Sequence, residues 1–121
     1  MSRGIPKPLA VLRKRDEFLA IAKEGRKWVA PGLILQMGAV RENETPSIRY
    51  GLTASRKVGM AVTRNRARRR LRALAVEILP PHAASGRDYV LIARAATITR
   101  DFADLRQDLA MALQKLGAWR E

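Results

Sequence analysis

Cysteine is absent from this 121-residue chain, histidine occurs once, and aromatic residues make up only 5%. Without thiols there are no disulfides and no thiolate metal sites, and the absence is compatible with a reducing compartment. No apolar run approaches the ~20 residues of a membrane-spanning helix. The first eight residues, Met1 to Pro8, lack the apolar segment of a secretory signal. We therefore expect a soluble, cytoplasmic protein that makes no use of a membrane. Acidic residues are scarce too: 11 stand against 24 Lys and Arg, for a net charge of +13. A charge of that size speaks to partners, and its two natural partners are nucleic acid and an anionic membrane surface.

What is present suffices for a core. The hydrophobic fraction is 47%, and 121 residues suit a single domain, 1–121. The charge is uneven. Residues 1–15 hold five basic residues and no acid, and 56–72 hold eight and no acid, whereas 87–121 hold six against five. The partner surface should come from the first two-thirds of the chain, with the last third as scaffold.

Periodicity outlines the elements. Residues 1–12, with two prolines and a glycine before Leu9, read as an extended arm. A helix is expected over 16–24, with Phe18, Leu19 and Ala22 as its apolar stripe and Asp16 and Glu17 in the favourable first turn. A short strand over 27–30 is broken by Pro31-Gly32. Strands over 33–40 and 48–54 alternate apolar and polar residues, and the short polar turn between them predicts an antiparallel hairpin. A helix runs over 60–79 until Pro80-Pro81 stops it. Residues 89–93 are almost wholly apolar, which predicts an inner strand. Thr99 can cap a last helix whose stripe is Phe102, Leu105, Leu109, Ala112, Leu113 and Leu116, ended by Gly117. The order α-β-β-β-α-β-α suggests an α+β fold, an α–β sandwich of a small mixed sheet with about three helices.

The densest chemistry lies in 64–72, where six of nine residues are Arg. Ala67, Leu71, Leu74, Ala75 and Ile78 recur at steps of three and four, so they share one helix face. Arg66, Arg68, Arg69 and Arg72 fan over the rest, and Arg64 and Arg70 flank the apolar stripe. An ordinary solvated face mixes charge signs, whereas Glu77 is the only acid between Arg49 and Arg87. Guanidinium forks packed this closely suit phosphates, and grip a polyanion with little base selectivity. Of the aromatics, Tyr50 suits the core, while Phe18 and Trp28 are candidates for stacking on a single-stranded base. Lone His82 sits in a loop composition and reads as exposed. Asp101, Asp104 and Asp108 read as a solvated helix face. No phosphate loop or acid–base pair is evident, so catalysis by the polypeptide alone is not expected.

Arg64-Asn65-Arg66, preceded by Ser55-Arg56-Lys57-Val58-Gly59-Met60-Ala61-Val62 and followed by Arg68-Arg69-Arg70-Leu71-Arg72, closely resembles the signature of the bacterial ribonuclease P protein subunit. Arg15-Asp16-Glu17-Phe18 with Lys23-Glu24-Gly25-Arg26 is similar to that family's first helix, and 88–94 to its last strand. The likeness covers about 9–116. It implies an α–β sandwich related to a ribosomal protein domain (that of S5), with a left-handed crossover through the Arg helix. It implies that the protein joins a catalytic RNA that removes the 5′ leader of precursor tRNA. The RNA and its Mg²⁺ then do the chemistry, and no protein-bound cofactor, metal ligand or protein partner is called for. By the same likeness Arg56, Lys57, Arg64, Asn65, Arg66, Arg68, Arg69 and Arg72 would face the catalytic RNA. The leader would lie between the first helix and the open sheet face, near Phe18, Gln36, Ser55, Lys57 and Arg94. The chain departs from the family pattern at Ala22 and Gln36, where aromatics are frequent, and at Met60, where Asn is common. Three other readings stay open at this level: a structural ribosomal or general RNA-binding protein, a DNA-binding module, and a self-sufficient nuclease.

Overall fold

The computed structural model describes residues 9–41 and 47–121. A short strand, β1 (Leu9–Val11), leads into α1 (Arg15–Glu24). The hairpin β2 (Arg26–Val29) and β3 (Leu33–Met37) follows, then β4 (Ile48–Thr53) and a 3₁₀ turn at Arg56–Val58. The long helix α2 (Ala61–His82) precedes β5 (Asp88–Ala93), the one-turn α3 (Ala96–Thr99) and α4 (Phe102–Lys115). The five strands make one mixed sheet in the order β1-β4-β5-β3-β2. Strand β4 runs parallel to β1 and β5, and β3 runs antiparallel to β5 and β2. The fold is α+β, with one strand and one single-turn helix beyond the expected order.

The expected hairpin of β3 with β4 does not form, because β5 lies between them: Leu35 and Leu52 both face Leu91 in register. Strand β5 is the most buried of the five, and only the centre of a sheet buries both its faces. Sequence adjacency loses to burial. The turn expected at 42–46 and residues 1–8 of the expected arm lie outside the described residues. The end of that arm is not loose, since Leu9–Val11 pairs with Ile48, Arg49 and Tyr50. Strand β3 stops at Met37, short of the expected 40.

The main core fills one face of the sheet. Leu33, Leu35 and Met37 of β3, Tyr50 of β4 and Leu91 of β5 meet the stripes of α2 and α4, and all the predicted stripe residues of α2 are buried. A smaller cluster of Leu12, Ile21 and Val90, with Phe18 beside it, lies on the opposite face under α1. The α1 stripe differs from expectation: Leu19 and Ala22 are exposed, and Ile21 turns inward with Phe18. Gly51 explains the rotation. A Cβ there would stand 2.4 Å from the Phe18 ring, so the ring docks on bare β4 backbone. Once Phe18 is fixed, Ile21, three residues on, falls on Val90.

Helix α2 runs past its expected end, with Pro80 and Pro81 in its last turn. Each proline removes its own N–H from the ladder and crowds the carbonyl four residues back, yet the turn closes beyond them, with the Ala83 N–H donating to the Leu79 carbonyl at 2.9 Å. The C-terminus clasps this end. His82 is therefore not simply exposed: its ring stacks on Trp119 at 4.1 Å, and Ala83 bridges Trp119. Asp101, not Thr99, precedes α4, because Thr99 belongs to α3. Asp108 does not share a solvated face. It is buried, and it accepts hydrogen bonds from Arg100 Nε at 2.7 Å and the Gly32 N–H at 3.0 Å. A second buried carboxylate, Asp88, accepts from Arg49 Nε at 2.8 Å and also from Arg41, and Arg49 reaches Glu17 at 3.0 Å, tying α1 to the sheet. No helix among the described residues is long and apolar enough to cross a membrane.

Tyr89 sits at the centre of this core, fully buried, its O–H donating to the Ala84 carbonyl at 2.7 Å. Burial pushes its phenol up to about 12. The folded pKa then exceeds the unfolded value of ~10, so this stabilisation is complete below about pH 10 and is lost as pH rises toward about 12. Alkaline unfolding followed by circular dichroism should show this component, and Tyr89→Phe should remove it.

Candidate nucleic-acid interface

The turn before α2 is fixed by its own chemistry. Ser55 Oγ accepts from the Lys57 N–H at 3.3 Å and caps the 3₁₀ turn. Gly59 then takes φ of +150°, a region that L side chains avoid. Arg64 reaches back, its Nη1 donating to the Gly59 carbonyl at 3.2 Å. Helix α2 leaves this turn with no side-chain cap on its first amides. Their positive end of the helix dipole adds to the basic field.

The arginines then divide by role. Arg66, Arg69 and Arg72 are exposed, as are Asn65, Arg56 and Lys57. Arg68 is half-buried and donates to Asn65 Oδ1 at 2.9 Å, an orientation that holds both on the helix surface. Arg70 points the other way: it donates to the Ile98 carbonyl at 2.8 Å and to the Arg100 carbonyl, pinning α3 to α2. Among the described residues the five ion pairs lie elsewhere, and none involves Arg56, Lys57, Arg64, Arg66, Arg68, Arg69 or Arg72. Glu17, Glu77, Asp88 and Asp108 pair with scaffold arginines, so among the described residues the seven cations form one surface without internal counterions.

The residues proposed for a cleft separate into two groups. Ser55 and Lys57 follow β4, and Arg94 follows the neighbouring parallel strand β5, so all three gather at one end of the sheet beside the start of α2. Arg94 is half-buried, and its Nη1 donates to the Ala30 carbonyl at 2.6 Å. Gln36 and Phe18 lie further along, on the sheet face that carries α1. Gln36 pairs with Val90 and Val90 with Gly51, under the Phe18 ring, so two strand spacings separate them, about 10 Å. Trp28 is not in this groove. Its register partner is Leu35, which places it on the core face, where Lys115 Nζ stands 5.6 Å from the ring centroid. Its apparent availability came from neighbouring Arg26 and Lys27, yet successive strand residues face opposite sides, so Lys27 is turned away from it, and Arg26 donates to the Leu116 carbonyl at 3.3 Å.

Two features escaped the sequence reading. Arg13 and Arg15, with Phe18, Leu19 and Thr53, line a concavity of about 340 Å³ beside α1. The unopposed basic residues of 1–15 were its only signal. The other is Val62, which stands in line with Arg66 and Arg69 at spacings of four and three. Among the described residues no three His, Asp or Glu side chains gather as metal ligands. Glu17, Glu77, Asp88 and Asp108 are all engaged by arginines.

The sequence profile of the family described as Ribonuclease P matches residues 7–117. The ribonuclease P protein component of Paramagnetospirillum magneticum is 49% identical over 109 residues, spanning 88% of this chain and 82% of that protein. That of Ruegeria pomeroyi is 46% identical over 111 residues, spanning 91% and 88%. Among solved structures, the RNase P protein from Thermotoga maritima superposes with a TM-score of 0.68 at 29% identity, over 87% of this chain and 93% of that one. The Staphylococcus aureus RNase P protein shares the fold, with a TM-score of 0.74 at 22% identity over 91% and 97%.

The division of arginines predicts opposite phenotypes for neighbours. Arg70→Ala should lower stability to urea by about 1–2 kcal/mol, since two carbonyls lose a charged donor. Arg69→Ala should stay within about 0.5 kcal/mol of the unmodified chain.

Proposed function

Because the chain belongs to the ribonuclease P protein family, and so is a protein subunit of the tRNA 5′-processing ribonucleoprotein, we propose a division of labour between its two surfaces. Helix α2 and the turn before it grip the ribonuclease P RNA through Arg56, Lys57, Arg64, Asn65, Arg66, Arg68, Arg69 and Arg72. The sheet face beside α1 takes the 5′ leader of precursor tRNA, with Ser55, Lys57 and Arg94 at its mouth and Phe18 and Gln36 along its floor. The observation that carries this reading is the surface of seven cations that have no carboxylate partner among the described residues. Such a surface repels itself until phosphates replace the missing counterions, and shape-based recognition of a folded RNA follows from phosphate contacts.

In this reading the polypeptide contributes binding and orientation. The guanidinium groups hold phosphates of the RNA, and the sheet face holds the leader so that the scissile phosphodiester stays in register with the RNA. Mg²⁺ belongs to the RNA, consistent with the engagement of the chain's buried carboxylates by arginines. We assign the protein to the cytoplasm with its RNA, and no second protein is required.

Reconstitution with a bacterial ribonuclease P RNA and a precursor tRNA tests both surfaces. Arg66→Glu with Arg69→Glu should abolish assembly and the gain in cleavage at low Mg²⁺ while circular dichroism stays unchanged. Full stimulation by that variant would sink the assignment of α2. Arg66→Ala and Arg69→Ala should each lower the slope of log Kd against log salt by about 0.7–0.9. Gln36→Ala and Lys57→Ala should narrow the difference in affinity between leader-bearing and leaderless tRNA.

A further inference from the structure

Met60 is 82% exposed and Val62 75% exposed, and they are the two most exposed large apolar side chains among the described residues. A single exposed hydrophobe means little. This pair is different in its setting: one residue separates the two, and the only charges in the surrounding stretch are those of Arg56, Lys57, Arg64 and Arg66. Met60 immediately precedes α2. Val62 heads the outward row that continues through Arg66 and Arg69. The backbone beneath them is already ordered by the Ser55 cap, the Gly59 turn and the bond from Arg64 to the Gly59 carbonyl. Little backbone entropy remains to be lost when the pair is covered.

Resting on the reading of α2 as the face that grips RNA, we propose that Met60 and Val62 form an apolar tooth that packs on an unpaired nucleotide of the ribonuclease P RNA. The charge around the pair selects a polyanion as its cover. In an RNA the apolar surface is that of bases and sugars, and unpaired nucleotides display it most fully. Arginines on the same row hold the flanking phosphates, so the tooth meets the nucleotide between them. The tooth adds a contact to the base or sugar of one nucleotide, which phosphate contacts alone do not supply.

The two kinds of contact differ in their response to salt. A guanidinium on a phosphate releases counterions, and an apolar contact does not. The test is the affinity of the full chain for ribonuclease P RNA across a range of salt concentrations, for the unmodified protein and for Met60→Ala with Val62→Ala. We expect the double variant to bind about tenfold more weakly at every salt concentration, with the slope unchanged. Its thermal midpoint should hold, since both side chains face solvent. Met60→Leu with Val62→Ile should retain affinity. An affinity within about twofold of the unmodified chain, or a loss that comes with a shallower slope, overturns the inference while the reading of the arginines stands. If the unmodified chain itself fails to bind the RNA, both fall.

Discussion

The fold and its densest charge depend on one helix that is apolar on one side and cationic on the other. Leu71, Leu74 and Leu79 of α2 are wholly buried against the sheet and α4. Each contributes on the order of 1.5–3 kcal/mol. Like charges three or four residues apart on a helix cost only about 0.2–0.5 kcal/mol per pair in water. The burial term therefore wins comfortably, and the helix holds its arginines together without any help from acidic neighbours. The same inequality explains why Arg70 differs from Arg69: once α2 is seated, a guanidinium at its flank reaches the carbonyls of α3 and becomes structural.

With few acids in the chain, where they sit decides where positive charge stays free. Asp108 holds Arg100 and the β2–β3 turn against α4, while Asp88 and Glu17 hold Arg49 between the sheet and α1. Neither engages the outward arginines of α2. The scaffold is thus close to neutral in its contacts, and the net charge of +13 is concentrated where a polyanion can use it. Charge partition, more than total charge, is what leaves one continuous cationic face on α2 and the turn before it.

Periodic features were legible in the sequence. The stripes of α2 and α4, the alternation of β3 and the inner position of β5 follow from the spacing of apolar residues, and all were found as expected. The errors arose where a tertiary contact overrides a local signal. Proximity suggested β3 with β4, but the burial demanded by β5 separates them. The rotation of α1 is set by the absence of a side chain at Gly51, which no stripe on α1 itself can reveal. Trp28 and Asp108 were placed by their sequence neighbours, and strand alternation and an arginine 8 positions away place them otherwise. At the candidate site the basic residues stood out because charge is visible in sequence. Which of them is already bonded within the fold was not visible, nor was the exposure of Val62 beside them.

The central strand of the sheet is also the last strand in the chain. Until β5 has left the ribosome, β1 can pair only with β4, and β2 only with β3, as two separate ribbons with no common core. Isolated two-stranded ribbons are marginal in water, and contacts between distant segments form slowly. The Arg helix is made before the strand that completes its seat. The sheet cannot close until β5 has emerged, so the helix and its cationic face wait on a strand made after them.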